Sequence, residues 1–249
     1  MGSSIVITSG KGGTGKTSLT AALASALAAS GARVLCIDAD IGLRNLDLSL
    51  GLSDMVCRDF CDVVLGGCPL EEAVTEHPLI PGLFFLGAPV FADHTEIPHE
   101  GFTAMIEEAR TLFDWCLVDS PAGLGRGFRL SCCGAEKAVI TVTADDSSRR
   151  DAQRAASELY ELGITELLLA VNRVRPRLIK RSRSTVDDII DSVGARLIGL
   201  VPEDDNVPLA ANLGKPLLLY APKCRAAKAA ANMAERLSGR RVPLMKIGK

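Results

Sequence analysis

No two of the chain's 8 cysteines are spaced C-x-x-C. Zinc ribbons and most cluster-binding ATPases depend on that tight pair, so Cys57, Cys61, Cys68, Cys132 and Cys133 are expected as buried or half-buried thiols rather than ligands. Histidine is scarce as well. The 3 present, His77, His94 and His99, stand near prolines with no ligand-like neighbour, which predicts surface loops. No basic-then-apolar leader opens the chain, and so long a chain does not need a disulfide framework, so the expected compartment is the reducing cytoplasm. Nor does any apolar run reach the roughly eighteen residues of a membrane span; a membrane role is expected to be peripheral. Aromatic residues make up only 4%, leaving aliphatic side chains to fill the interior. A net charge of −2 gives no overall field for nucleic acid or anionic lipid, so such a partner needs a local patch.

What is present is a repeating order of short aliphatic runs and helical patterns. Strands are predicted at 4–8, 33–38, 83–86, 115–119, 138–143, 167–172 and 197–201, most of them apolar at consecutive positions. Strands covered on both faces read this way. Helices are predicted at 16–29, around 56–65, and at 101–112, 148–162, 185–193 and 226–237. The fold class is therefore α/β: a mostly parallel sheet with helices on both faces. One domain over 1–249 is expected, with 240–249 a short tail. In such sheets ligands sit beyond the carboxyl ends of the strands.

The first strand leads into Gly10-Lys11-Gly12-Gly13-Thr14-Gly15-Lys16-Thr17, which fits G-x-x-x-x-G-K-[ST] between a strand and a helix. Glycines let backbone N–H groups turn inward around a phosphate, and the helix start, Lys16-Thr17-Ser18, adds partial positive charge. Lys16 is expected to neutralise β/γ oxygens and Thr17 to ligate Mg²⁺, making ATP and Mg²⁺ the expected cofactors. The second strand ends in Asp38-Ala39-Asp40, acids placed to hold a metal-bound water or to orient an attacking one. The run 115–119 ends in Asp119, which should reach Mg²⁺ through water. At the ends of the last two strands, Asn172 carries an amide able to pair with an adenine edge, followed by Arg173, and Pro202-Glu203-Asp204 closes similarly.

Lys11 is unusual, a second lysine inside the loop. With it, the loop resembles the deviant Walker A motif of the MinD/ParA family of ATPases. The run D-A-D-I-G-L-R-N-L-D at 38–47 and D-S-P-A-G at 119–123 resemble the two switch segments of the MinD branch. The resemblance follows motif order over almost the whole chain. It implies that Lys11 reaches a partner's nucleotide in an ATP-dependent homodimer, that Asp40 orients the hydrolytic water, and that Asp38 belongs to the metal shell. It also implies adenine-side roles for Asn172, Arg173, Pro202, Glu203 and Asp204, and a partner-contacting helix containing Ser148, Arg149 and Asp151. The partners implied are a division inhibitor of the MinC kind and a topological or ATPase-activating protein. The expected localisation is cytoplasmic, with ATP-dependent peripheral attachment to the cell membrane.

The sequence departs from that branch at its end. Where that branch carries an amphipathic anchor, residues 240–249 hold few apolar side chains and are interrupted by Pro243, so a truncated tail and a different mode of anchoring both stay open. Ala227, Ala230, Ala231, Ala234 and Leu237 form a stripe expected to pack on the sheet. The basic stretch 173–183 suits a solvated loop, anionic lipid or DNA phosphate. The function expected is an ATP-driven switch that positions the division septum. A ParA-type partition ATPase acting on DNA, or a regulator of flagellar number, stays open, whereas an iron–sulfur carrier is disfavoured.

Overall fold

All seven aliphatic runs become strands of one sheet, because each is apolar on both faces and both faces are covered. The computed structural model describes residues 1–55, 57–90, 97–175 and 185–245. The strands are β1 (Ser3–Thr8), β2 (Val34–Asp38), β3 (Thr75–Glu76), β4 (Leu83–Leu86), β5 (Trp115–Asp119), β6 (Lys137–Thr143), β7 (Glu166–Val174) and β8 (Arg196–Pro202). Their order is β3-β4-β2-β5-β1-β6-β7-β8, parallel throughout except for the antiparallel β3–β4 pair. The two-residue β3 is too short and too polar to announce itself in the sequence.

Around the sheet lie α1 (Lys16–Ala29), α2 (Leu46–Leu50), α3 (Phe60–Val64), α4 (Leu70–Ala73), α5 (His99–Leu112), α6 (Arg126–Ser131), α7 (Asp146–Glu161), α8 (Val186–Val193), α9 (Asn206–Asn212), α10 (Leu217–Tyr220) and α11 (Arg225–Leu237). Alternating strand side chains feed two cores: Val6, Val118 and Ile140 face α5 and α7, while Ile5, Ile7 and Leu117 face α1 and α11. The short helices α2, α4, α6, α9 and α10 had no periodicity to find. The helix expected around 56–65 shortens to α3 because Asp59 caps it, its side chain accepting from Cys61 while Asp62 returns a bond to the Asp59 amide. Val56 lies outside the described residues.

Three expectations need correction. His77 is buried: its Nδ1 accepts the Leu79 and Ile80 amides, both at 3.1 Å, and its Nε2 lies 2.9 Å from the Leu50 carbonyl. Those two amides need an acceptor in a turn flanked by prolines, and the ring supplies it. His99 is exposed but opens α5 rather than lying in a loop, and His94 lies outside the described residues. Cys57 is exposed rather than half-buried. In the α11 stripe Ala231 is exposed; Ala226, Ala229 and Met233 join Ala227, Ala230 and Ala234 in packing on α1 and β8. Met233 lies over Gly199, where an added Cβ would come within 2.4 Å of its Cγ.

Candidate active site

The carboxyl ends of β1, β2 and β5 meet around the start of α1. Gly15 (φ 89°) and Gly13 (φ 79°) adopt left-handed conformations open to glycine, and α1 begins without a side-chain cap, leaving its first amides free for a ligand. Gly10 is just as constrained: a Cβ there would fall 2.0 Å from the Asp151 carbonyl oxygen. The loop therefore rests directly on α7. Within it, the Thr14 side-chain hydroxyl is buried without a partner. Lys16 is buried, and burial lowers its pKa against the opposing pull of Asp119 and Asp40.

Strand register brings the acids together. Asp38 pairs with Asp119 across β2 and β5, and both are 1% exposed. Asp119 accepts from Thr17 through Oδ2 at 2.7 Å and from Thr20 through Oδ1 at 3.0 Å. Asp38 accepts the amides of Asp40 (2.9 Å), Asn45 (3.2 Å) and Leu46 (3.1 Å), which folds the segment after β2 around its own carboxylate. Asp40 is half-buried at that turn. Burial raises the pKa of both Asp38 and Asp119; Asp38 adds to the rise at Asp119, and Asp40 and Asp47 add to the rise at Asp38 against the bonds from the Asp40 and Leu46 amides. Acids crowded beside a Thr hydroxyl, with Lys16 opposing the rise at Asp119, form an oxygen donor set that fits Mg²⁺, whose charge reverses that repulsion.

Lys11 points elsewhere. Its Nζ donates to Asp145 Oδ1 at 3.0 Å and to Ser147 Oγ at 2.7 Å, at the start of α7. Partial burial pushes the Asp145 carboxyl up, but bonds from Thr143, Ser147, the Ser148 amide and Lys11 outweigh it and hold the group well below the usual range. Of the expected partner-contacting residues, Ser148 is buried and bonds the Thr143 amide through Oγ, while Arg149 pairs with Asp146.

Gly15, Ser18, Asn172, Arg173, Pro202, Glu203 and Asp204 line one cleft of about 180 Å³, so every residue expected beside a base converges there. Some of their polar groups are already engaged. Asn172 donates its amide to the Thr14 carbonyl at 2.8 Å and accepts the Arg173 amide at 2.9 Å, supporting a left-handed Arg173 (φ 52°). Glu203 pairs with Arg175, which lowers its pKa. Asp204 accepts the Arg225 and Ala226 amides and so caps α11. Of the basic stretch, residues 176–183 lie outside the described residues.

Sequence reasoning missed Thr20, Asp145, Ser147 and the buried hydroxyl pair Ser120–Thr8 (3.0 Å) at the start of the run 119–123. Thr20 left a usable signal, a polar residue four after Lys16 inside an alanine- and leucine-rich helix. The others depend on long-range contacts.

The CobQ/CobB/MinD/ParA nucleotide binding domain matches residues 5–217 of this chain. The septum site-determining protein MinD of Bacillus subtilis is 40% identical over 247 residues, covering 98% of this chain and 92% of that protein. Among solved structures, the MinC:MinD cell division protein complex of Aquifex aeolicus matches with a TM-score of 0.91 and 39% identity, covering 99% of this chain and 100% of that one. MinD of Pyrococcus horikoshii complexed with Mg-ADP matches with a TM-score of 0.84 and 29% identity, covering 95% and 96%.

Proposed function

The chain belongs to the CobQ/CobB/MinD/ParA nucleotide-binding family, and from that premise we propose that it is a single-domain, MinD-type ATPase that dimerises with ATP and helps position the division septum. The observation that carries this reading is the meeting of Lys16, Thr17, Asp38, Asp40 and Asp119 at three adjacent strand ends. Loop amides and Lys16 bind the β/γ-phosphates. Thr17, Asp119 and Asp38 are the residues that would hold Mg²⁺, which offsets phosphate charge when bound. Asp40 orients water toward the γ-phosphate. Asn172, Arg173 and the segment 202–204 form the base side of the cleft. Lys11 leaves Asp145 to contact the nucleotide of a second copy.

A MinC-like division inhibitor is the partner supported by the likeness to the Aquifex complex. Its docking surface would include the start of α7, which touches the phosphate loop at Gly10 and Lys11. Attachment to an anionic membrane surface would be peripheral; no helix among the described residues is long and apolar enough to cross a bilayer.

Asp40→Ala tests the reading. A water-orienting carboxylate acts on the chemical step, while Lys16 and Thr17 remain to bind nucleotide. The expected result is an ATP-loaded dimer by light scattering with phosphate release nearly abolished. A monomer in saturating ATP, or normal release, counts against it.

A further inference from the structure

We propose that Thr20 is a positioning residue for the metal-side carboxylate, anchoring one oxygen of Asp119 so that the other, shared with Thr17, is held toward the phosphate loop. The inference rests on the ATPase reading above and deepens it.

Thr17 and Thr20 are three residues apart on α1, hence on one helical face, and they divide a single carboxylate between them. Thr17 donates to Oδ2 at 2.7 Å and Thr20 to Oδ1 at 3.0 Å. The Thr20 hydroxyl has a second acceptor in reach, the Lys16 carbonyl at 3.0 Å. That carbonyl already has the helical amide partner four residues on. The single hydroxyl proton therefore belongs on the charged oxygen, where the bond is stronger. Thr20 is 0% and Asp119 1% exposed, so no bulk water stands ready to replace the hydroxyl. Without it, Oδ1 would be a buried acceptor lacking its donor, and the carboxylate would turn to recover one. The Asp119 backbone cannot follow that turn: its carbonyl accepts the Ala39 amide at 3.0 Å, and its strand is paired on both sides. The side chain alone would move, away from the position it shares with Thr17.

Mn²⁺, followed by electron spin resonance, is the probe, titrated into the full chain with ADP. Thr20→Val keeps the shape and removes the hydroxyl; Thr20→Ser keeps the hydroxyl. Loss of a charge-assisted hydrogen bond predicts that Thr20→Val raises the Mn²⁺ half-saturation about tenfold or more. Thr20→Ser should stay within about twofold of the native chain, and ADP binding in EDTA should be unchanged in both. Native Mn²⁺ affinity in a folded Thr20→Val overturns the proposal, as does a serine variant no better than the valine. Thr20→Ala, which also lacks the hydroxyl, carries the same test should valine prevent folding. An unsubstituted chain that binds no ADP would instead overturn the ATPase reading, so the two failures are distinguishable.

Discussion

Lys11 and Asp145 form an ion pair at 3.0 Å within one chain, linking the phosphate loop to the first turn of α7. Under the proposed reading, in which Lys11 contacts the nucleotide of a second copy, dimerisation would break this contact. Both side chains are part-exposed, at 32% and 51%, so the pair is worth only about 0.2–1 kcal/mol. Asp145 also accepts the Ser148 amide and caps α7. Asp145→Asn keeps a capping oxygen while removing the charge. The ATP concentration that half-saturates dimer formation should fall by up to about fivefold, read by light scattering across an ATP titration. A requirement for more ATP would show that Asp145 serves the dimer rather than opposing it.

His77 makes stability depend on pH. Burial lowers its pKa against the opposing effect of its bond to Leu50, and Nδ1 must stay unprotonated to accept two amides. With the folded value below the unfolded value of about 6.5, the unfolded chain binds more protons as pH falls. The contribution is complete above the unfolded value and lost as pH drops toward the folded one. Asp38 and Asp119, whose folded values are raised, act in the opposite sense, so the informative quantity is a difference between variants. Urea unfolding of the native chain and of His77→Asn should diverge more at pH 7.5 than at pH 5.5. An equal gap at both values would show that the ring titrates alike in both states.

The sheet was legible because burial on both faces leaves consecutive apolar residues. The limits of β4 and β5 coincide with the runs 83–86 and 115–119. The phosphate loop and its acids were legible because their chemistry is local to strand ends. What stayed hidden lies across the chain. Nothing near Lys11 announces Asp145, and nothing near His77 announces the Leu50 carbonyl that its ring meets. α9 contains Pro208 in its first turn, where proline is tolerated but reads as a breaker.

Asn172 separates two ways of serving the site. Its amide suits an adenine edge, yet here Nδ2 donates to the Thr14 carbonyl, and Gly15 packs so closely that an added Cβ would lie 2.4 Å from that nitrogen. The residue therefore braces the phosphate loop from β7. Asn172→Ala removes that bond and the acceptor for the Arg173 amide, whose left-handed backbone it supports. Nucleotide affinity should fall about tenfold or more, the cost of leaving buried groups unpaired. Pyrophosphate, which has no base, discriminates between the roles. A bracing role predicts that its binding weakens alongside that of ATP in isothermal titration, because the loop itself is loosened. Weakening confined to ATP would return Asn172 to the base edge.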